Sequence, residues 1–202
     1  MRVFEGSELL VATHNMGKFD EVTALLAPLG IGAQSAKDHG LPEPDETGTT
    51  FVENARIKAH AATAATGLPA LADDSGLEID ALDGAPGVYT ADWATTPKGR
   101  DFPMAMNRAW DEIQRAGTAP PHGARFCCTL VLAWPDGHDE VFEGSVSGQI
   151  VWPMRGEEGH GFDPIFQPDG FEITFGEMEW AEKNRRSHRA DAFGKLMAAL
   201  KS

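Results

Sequence analysis

The chain has 202 residues, of which 42% are hydrophobic and 24% charged, and its formal net charge is -14 at pH 7. This composition is that of a globular protein and argues against disorder, and the length suits one domain over residues 1–202 without a separable linker. So acidic a chain repels nucleic acid and anionic membranes, and no stretch approaches the roughly 18 apolar residues of a membrane span. We therefore expect a cytoplasmic protein that binds neither.

The first predicted elements are a buried strand, a loop and a helix. The stretch "ELLVAT" at residues 8–13 is short and apolar, "HNMGK" follows it, and apolar residues then recur at helical spacing. Asp20 and Glu21 suit the first turn of this helix, where the helix dipole favours negative charge, and Gly30 suits its C-terminal cap.

A second helix is predicted after the turn-rich, acidic stretch at residues 39–50. Thr50 and Glu53 form a capping-box pattern, alanines sustain the helix in "TFVENARIKAHAATAAT", and Gly67 ends it. Lys58 falls on an otherwise small and apolar face of this helix, so its position calls for a partner.

The remaining chain is predicted to contain strands and two more helices. "LPALADD" is typical of a buried strand, residues 98–116 predict a helix with Met104 and Trp110 inward, and residues 188–200 predict a final helix. "ARFCCTLVLAW" and "EVFEGSVSGQIV" are predicted as antiparallel strands around the turn "PDG". Early alternation of strands and helices with a late hairpin indicates an α/β fold with a mixed sheet.

The loop after the first strand, "THNMGK", carries groups that suit a phosphate. Thr13, Asn15 and Lys18 stand where backbone N–H groups are exposed at a helix start, and such groups with one lysine favour phosphate oxygens. The stretch is not a Walker A loop. The alternative is an ordinary turn with a solvated lysine.

Glu46, Asp73 and Asp74 form a candidate metal site with oxygen ligands alone. Such ligands fit Mg²⁺, which keeps several waters and shares substrate phosphates. We place the aspartates at a strand end, where the backbone can turn both carboxylates towards one cleft: one holds the metal and the other positions or deprotonates a water. The alternative is a strand-end cap in which both bond to the "SG" turn.

The stretch "GHGFDPIF", residues 159–166, is a glycine-rich loop that carries an aromatic residue and an aspartate. Phe162 can stack on a base while Asp163 accepts from ring or exocyclic N–H groups. The alternative is a tight turn whose phenylalanine fills the core.

The stretch "EKNRRSHRADAF" is the basic cluster of the sequence, placed on the N-terminal side of the last predicted helix. Its cationic side chains are Lys183, Arg185, Arg186, His188 and Arg189. Cations at that end oppose the helix dipole, which indicates an anionic ligand. The alternative is a solvated basic turn.

In order along the chain, "VATHNMGK", "ETGTTFVENARIKA", "ALADDSGLEIDALDGAPGVY", "GHGFDPIF" and "EKNRRSHR" resemble the inosine/xanthosine triphosphate pyrophosphatase (ITPase-like) family, from about residue 8 to 200. The resemblance implies a long mixed β-sheet flanked by helices, in two lobes with the active site in the cleft between them. It also implies a homodimer that hydrolyses noncanonical purine nucleotides (ITP, dITP, XTP) to the monophosphate and pyrophosphate, with Mg²⁺ as cofactor.

The resemblance implies roles by position. Asp74 resembles the catalytic base, and Glu46 with Asp73 and Asp74 the magnesium carboxylates, although the division of metal and base roles between the two aspartates stays open. The substrate-binding residues that it implies are Thr13, His14, Asn15, Met16, Gly17, Lys18, Lys58, Ser75, His160, Gly161, Phe162, Asp163, Lys183, His188 and Arg189.

Two features depart from the family pattern. His160 stands where the base-binding loop commonly begins with an aromatic residue, and Phe162 replaces a tyrosine, so stacking on the base is expected to be weaker or sensitive to pH. Arg185 and Arg186 are additional charges in the tail, which either tighten polyphosphate binding or have no effect.

Three other functions are compatible with these motifs. One is a pyrophosphatase for modified pyrimidine or methylated nucleotides, the second is a nucleotide-binding protein without turnover, and the third is a phosphomonoesterase that releases orthophosphate.

Purine selectivity is expected from donors that face O6 of the base, for which His188, Arg189 and nearby backbone N–H groups are the candidates.

Overall fold

The computed structural model describes residues 2, 4–14 and 16–200. Within them the strands are β1 (Glu8–Val11), β2 (Gly32–Ser35), β3 (Ala70–Ile79), β4 (Pro86–Gly87), β5 (Thr95–Thr96), β6 (Gly99–Arg100), β7 (His122–Ala133), β8 (Asp139–Ile150) and β9 (Phe166–Pro168). The α-helices of the same residues are α1 (Met16–Leu26), α2 (Phe51–Thr66), α3 (Phe102–Ala116), α4 (Trp180–Arg186) and α5 (His188–Leu200). None of the helices so described is long and apolar enough to cross a membrane.

The main sheet is mixed, as predicted. Its strand order is β2-β1-β3-β7-β8-β9, with β4 paired to β3, and β5 pairs with β6 in a small separate sheet. β1 runs parallel to both β2 and β3, whereas β4 on β3 and β9 on β8 are antiparallel. The predicted α/β class with a long mixed sheet flanked by helices is therefore confirmed.

The chain divides into two compact units. The first contains the residues up to Asp74, Thr129–Glu143 and those from Ala192, and the second contains Ser75–Cys128 and Gly144–Asp191. In the first unit the core beside α2 is made of small side chains, which are Ala55, Ala59, Ala72, Val131 and Ala133. Small residues let a helix approach a sheet closely.

The core of the second unit is aromatic by contrast. Phe126, Phe162, Phe166 and Phe175 are all buried in one cluster, and the ring centroids of Phe126 and Phe166 lie 4.7 Å apart. Trp110 of α3 is partly buried against this cluster and stacks on Trp152 at 5.5 Å. Large rings therefore fill the core of the second unit, whereas alanines fill the core beside α2 in the first unit.

The helix α2 begins and ends where the sequence predicts. Thr50 accepts from the backbone N–H of Glu53, whose carboxylate accepts in return from the backbone of Thr50, so the capping box is complete. Gly67 closes the helix in the left-handed conformation with φ 70°. These caps fix the position of α2 and therefore of the polar side chains that it carries.

Two helices differ from the prediction. α1 begins at Met16, so its first turn contains no acidic residue, and Asp20 with Glu21 lie beyond it. In α3 the side chain of Asp101 caps the helix by accepting from the backbone N–H of Met104. That start leaves Met104 41% exposed instead of inward, because the buried face is formed by Ala105, Met106, Ala109 and Ile113.

Candidate functional site

Lysines and carboxylates of the first unit contact one another in a group that we call the lysine–carboxylate cluster: Lys18, Lys58, Glu46, Asp73 and Asp74. The ammonium of Lys18 lies 2.6 Å from Oδ2 of Asp73, and that of Lys58 lies 2.6 Å from Oε1 of Glu46 and 3.8 Å from Oδ1 of Asp74. All three predicted metal carboxylates therefore contact predicted phosphate lysines.

Lys58 is the centre of this cluster, and its side chain is only 12% exposed. Burial by itself would lower the pKa of the ammonium, but the charges of Asp73, Asp74 and Glu46 outweigh it and raise the pKa of Lys58 above its ordinary value. The lysine on the alanine face of α2 thus has the partners that its position in the sequence called for.

Asp73 and Asp74 lie within a strand and not at its end, which corrects the prediction. β3 continues through Ser75 to Ile79, so there is no "SG" turn for the aspartates to cap. Successive strand residues point to opposite faces. Accordingly Asp73 meets Lys18 of α1, whereas Asp74 is 8% exposed and meets α2 through Asn54 and Lys58.

The loop and first turn of α1 hold the other predicted phosphate contacts. Thr13 is partly buried, Met16 is 42% exposed, and Gly17 lies in the first turn of the helix. The ring of His14 is exposed, and its Nε2 makes a 2.8 Å hydrogen bond with the carbonyl oxygen of Leu41. Asn15, the remaining residue of this group, lies outside the described residues.

The donor chemistry of the cluster fits a hard cation, because all of its candidate ligands are carboxylate oxygens. The carboxylates of Glu46 and Asp74 also converge on one positive charge, the ammonium of Lys58. Among the residues that the structure describes, however, no three histidine, cysteine, aspartate or glutamate side chains are arranged to hold a metal ion. A metal would therefore need Lys58 to leave its carboxylates.

A pocket of about 150 Å³ adjoins this cluster in the first unit. Most of its wall is apolar, from alanines, Leu41 and Pro42, and its polar edge includes His14, Glu43 and Lys58. Two of the residues predicted from the "THNMGK" and "ENARIKA" motifs thus line the same pocket.

The glycine-rich loop, residues 159–166 of the second unit, is organised by Asp163. This carboxyl group is buried, accepts from the backbone N–H of His160 at 2.6 Å, and forms an ion pair with Lys183. Gly159 has φ 79°, and a Cβ there would lie 2.1 Å from Oδ2 of Asp163, so only glycine fits. Asp163 and Lys183, predicted to contact substrate, hold the loop to α4 in this structure.

Phe162 and His160 have opposite environments in this loop. The ring of Phe162 is 1% exposed and packs edge-to-face on Phe102, with centroids 6.2 Å apart. The ring of Phe162 therefore fills the core, as the alternative interpretation of this loop predicted. In this position it is not accessible to a nucleotide base. His160 is exposed, and Gly161 beside it has φ 68°.

The basic tail is split between two helices, which corrects the dipole argument. Lys183, Arg185 and Arg186 lie in the last turn of α4, where the helix dipole favours cations. Both arginines bind Glu182 and lower the pKa of its carboxyl group. These charges are therefore accounted for without an anionic ligand.

His188 and Arg189 begin α5. The imidazole of His188 stacks on the ring of Phe126 with centroids 5.1 Å apart, and Arg189 is partly buried. The ring of His188 thus lies against the aromatic core of the second unit and not in a solvated turn, which was the alternative for the basic cluster.

Asn54 is a polar residue of this region that the sequence did not indicate. It is 2% exposed, and its Nδ2 donates to Oδ2 of Asp74 at 3.2 Å. The available signal was its spacing, because Asn54 and Lys58 are separated by four residues and therefore share one face of α2.

Comparisons with known proteins agree with this fold. A HAM1 protein from Coxiella burnetii has a solved structure that matches with a TM-score of 0.92 at 35% identity, covering 97% of this chain and 99% of that one. The Ham1 protein of Staphylococcus aureus matches with a TM-score of 0.87 at 32% identity, covering 96% and 98%. The mixed α/β fold is thus shared with solved Ham1 proteins.

The chain belongs to the Ham1 family, whose sequence model matches residues 9–199. A dITP/XTP pyrophosphatase of Ruegeria pomeroyi is 61% identical over 97% of this chain and 96% of its own length. A dITP/XTP pyrophosphatase of Mesorhizobium japonicum is 55% identical over 98% and 96%. The resemblance inferred from the five sequence motifs is confirmed.

Proposed function

We propose that this chain is a nucleoside triphosphate pyrophosphatase that converts ITP, dITP and XTP to the monophosphate and pyrophosphate, and so removes noncanonical purine nucleotides from the nucleotide pool. The observation that carries the proposal is the 61% identity, over nearly the whole chain, to a protein named dITP/XTP pyrophosphatase. The lysine–carboxylate cluster supplies groups suited to that chemistry.

Charge explains how the cluster would receive a triphosphate. The chain carries -14 overall, so a polyphosphate needs local positive charge, and Lys18 with Lys58 provides it. In this structure these ammonium groups are paired with carboxylates. Phosphate oxygens would take over the lysines, and the carboxylates would then be released for a cation.

Of the predicted ligands Glu46, Asp73 and Asp74, we assign Mg²⁺ to Glu46 and Asp74, because Asp73 points to the opposite face of β3 and contacts Lys18. The ion, when bound, would neutralise phosphate charge and polarise the phosphorus centre. The ion is a proposal that rests on the oxygen-only donor set and on the convergence of Glu46 and Asp74 upon Lys58. Removal of divalent cations with EDTA should abolish turnover, and added Mg²⁺ should restore it.

The hydrolytic step needs a base beside a water that attacks the α-phosphorus. We assign this role to Asp74, which is the more buried of the adjacent aspartates, and which would orient the water and take its proton as the new P–O bond forms. The bond from the α-phosphorus to its bridging oxygen breaks, and pyrophosphate leaves. Lys18 and Lys58 stabilise the charge that develops on the leaving oxygens.

The purine is proposed to contact the glycine-rich loop and the start of α5. His160 is the exposed ring of the loop and is the group we assign to stacking. His188 and Arg189 are the candidates for donors to O6, since the 6-amino group of ATP would leave such donors unpaired.

The chain is further proposed to act as a single cytoplasmic domain in a homodimer. Light scattering, which measures the mass of the particle in solution, can test the dimer.

Purified protein should be incubated with Mg²⁺ and ITP, dITP, XTP, dUTP, GTP or ATP, and pyrophosphate should be resolved from orthophosphate by chromatography. Pyrophosphate from the inosine and xanthosine nucleotides, with little from ATP or GTP, is the expected result. Preference for dUTP would favour the pyrimidine alternative, and orthophosphate would favour the phosphomonoesterase. Tight binding without turnover would indicate a nucleotide-binding protein.

A further inference from the structure

Asn54 joins two parts of the proposed active site through one buried side chain. Its Nδ2 donates to Oδ2 of Asp74 at 3.2 Å, and its Oδ1 accepts from the backbone N–H of Gly48 at 2.8 Å. Gly48 lies two residues after Glu46 in the loop that precedes α2. The proposed base and the loop of a proposed metal ligand are therefore tied to the same amide.

The orientation of this amide is fixed by its partners. A backbone N–H can only donate, so Oδ1 of Asn54 must face Gly48, and the NH₂ group must then face Asp74. Oδ2 of Asp74 is consequently held as an acceptor. Its other oxygen, Oδ1, lies on the side of Lys58 at 3.8 Å.

The backbone at Gly48 approaches α2 so closely that no side chain fits there. A Cβ on Gly48 would lie 2.6 Å from Cβ of Glu53 and 2.7 Å from Oδ1 of Asn54. Glu53 in turn accepts from the backbone N–H of Thr49 at 2.7 Å, so the loop is held on the first turn of the helix at several points. The side chain of Asn54 is thus held between this loop and β3, and its NH₂ group contacts Asp74.

We propose that Asn54 is a positioning residue for the pyrophosphatase reaction, which presents one oxygen of Asp74 to the attacking water by holding the other, and which sets the loop that carries Glu46. This inference rests on the proposed function. If Asn54 only stabilised the fold, its replacement would lower the stability of the protein but would not change turnover through Asp74.

Two variants separate the two hydrogen bonds. Asn54→Ala removes both, whereas Asn54→Asp keeps an acceptor for the N–H of Gly48 and replaces the donor to Asp74 by an oxygen. Thr63→Ala is the matched control, because Thr63 is also a buried polar residue of α2 but its hydroxyl donates to the carbonyl of His60 within the helix. Thermal melting establishes that each variant is folded.

Both Asn54 variants should lower kcat for ITP by about 10- to 100-fold with less than about a threefold change in KM, as loss of a hydrogen bond to a charged group predicts. In an Asp74→Asn background, Asn54→Ala should lower kcat no further, because its effect passes through Asp74. Amide exchange of Gly48, measured by NMR, should accelerate in Asn54→Ala and stay as in the unmodified protein in Asn54→Asp. Thr63→Ala should leave kcat and Gly48 exchange unchanged.

Folded Asn54 variants with unchanged kcat, or additive losses with Asp74→Asn, would overturn the positioning role. If the unmodified protein releases no pyrophosphate from any of the nucleotides, it is the proposed function that fails. The exchange rate of the Gly48 amide then tests the inference separately. If the protection of this amide from exchange does not depend on Asn54, the inference is rejected.

Discussion

The lysine–carboxylate cluster of the first unit and the glycine-rich loop of the second both contain a lysine paired with an aspartate, yet the two pairs are placed differently. Lys18 and Asp73 have side chains 29% and 16% exposed, whereas Lys183 and Asp163 are 14% and 3% exposed. The first pair is accessible to solvent, whereas the second is buried in a loop that it holds together.

The surrounding cores reinforce this difference. Alanines beside α2 leave the carboxylate of Asp74 in β3 within reach of polar groups on the helix, such as Asn54. Aromatic rings in the second unit enclose Phe162. Substitutions in the cluster should therefore act on activity, while substitutions at the buried residues of the loop, such as Phe162 and Asp163, should act first on stability.

The largest effect is expected from Asp74→Asn. Loss of the proposed base should lower kcat for ITP on the order of 10²- to 10⁴-fold, with little change in the midpoint of urea unfolding. Steady-state kinetics and denaturation on the same preparation test both parts. A near-normal kcat in folded protein would remove Asp74 from the role of base.

Lys183→Met should produce the largest loss of stability. It leaves the buried carboxylate of Asp163 without its cation, which typically costs about 3–5 kcal/mol in the free energy of unfolding. Urea denaturation measures this loss. The double variant Asp163→Asn with Lys183→Met should recover part of it, and an unchanged midpoint for Lys183→Met would contradict the structural role of the pair.

His160→Ala tests the exposed ring of the loop. If His160 stacks on the base, its removal should raise KM for ITP by roughly 5- to 100-fold, from a stacking contribution of about 1–3 kcal/mol, and should leave stability unchanged. Exposed His14→Ala, outside the loop, is a useful comparison for stability. A KM equal to that of the unmodified protein would show that His160 has no part in base binding.

Phe162→Leu distinguishes a core residue from a stacking residue. In the core it should cost about 1 kcal/mol in unfolding free energy, with KM for ITP unchanged. Phe166→Leu, which alters an equally buried ring of the same cluster, should behave alike. A tenfold rise in KM without loss of stability would instead place the ring of Phe162 on the base.

The smallest effect is expected from Arg185→Ala combined with Arg186→Ala. Both arginines are exposed and paired with Glu182, and exposed ion pairs contribute little to stability. KM for ITP should change by no more than about twofold. A larger rise that depends on ionic strength would show that these additional charges bind the polyphosphate after all.

Local features of the chain were predictable because they depend on neighbours in sequence. The caps of α2 at Thr50 and Gly67 and the strand β1 follow from residues within a few positions of one another. The mixed sheet followed from the order of strands and helices. The N-terminal cap of α3 at Asp101 was not part of the predicted pattern. For this reason Met104 was wrongly assigned to the inward face of the helix.

The division of the basic tail also escaped prediction. Lys183 and its neighbours were placed before the last helix, but a short separate helix, α4, puts them at a C-terminal end. Seven residues give too little periodicity to identify a helix, so the interpretation of their charge by the helix dipole was reversed.

The sequence by itself determined the fold class, the family and the set of charged residues available for chemistry, because these depend on composition, periodicity and ordered motifs. The tertiary structure alone decided which charges meet: Lys58 with Glu46 and Asp74, Asp163 with Lys183, and Asn54 between Asp74 and Gly48. Such pairings join residues of different structural elements, and the packing of helices, strands and loops against one another sets them. For the same reason only the structure separated Phe162, enclosed by aromatic rings, from the exposed ring of His160.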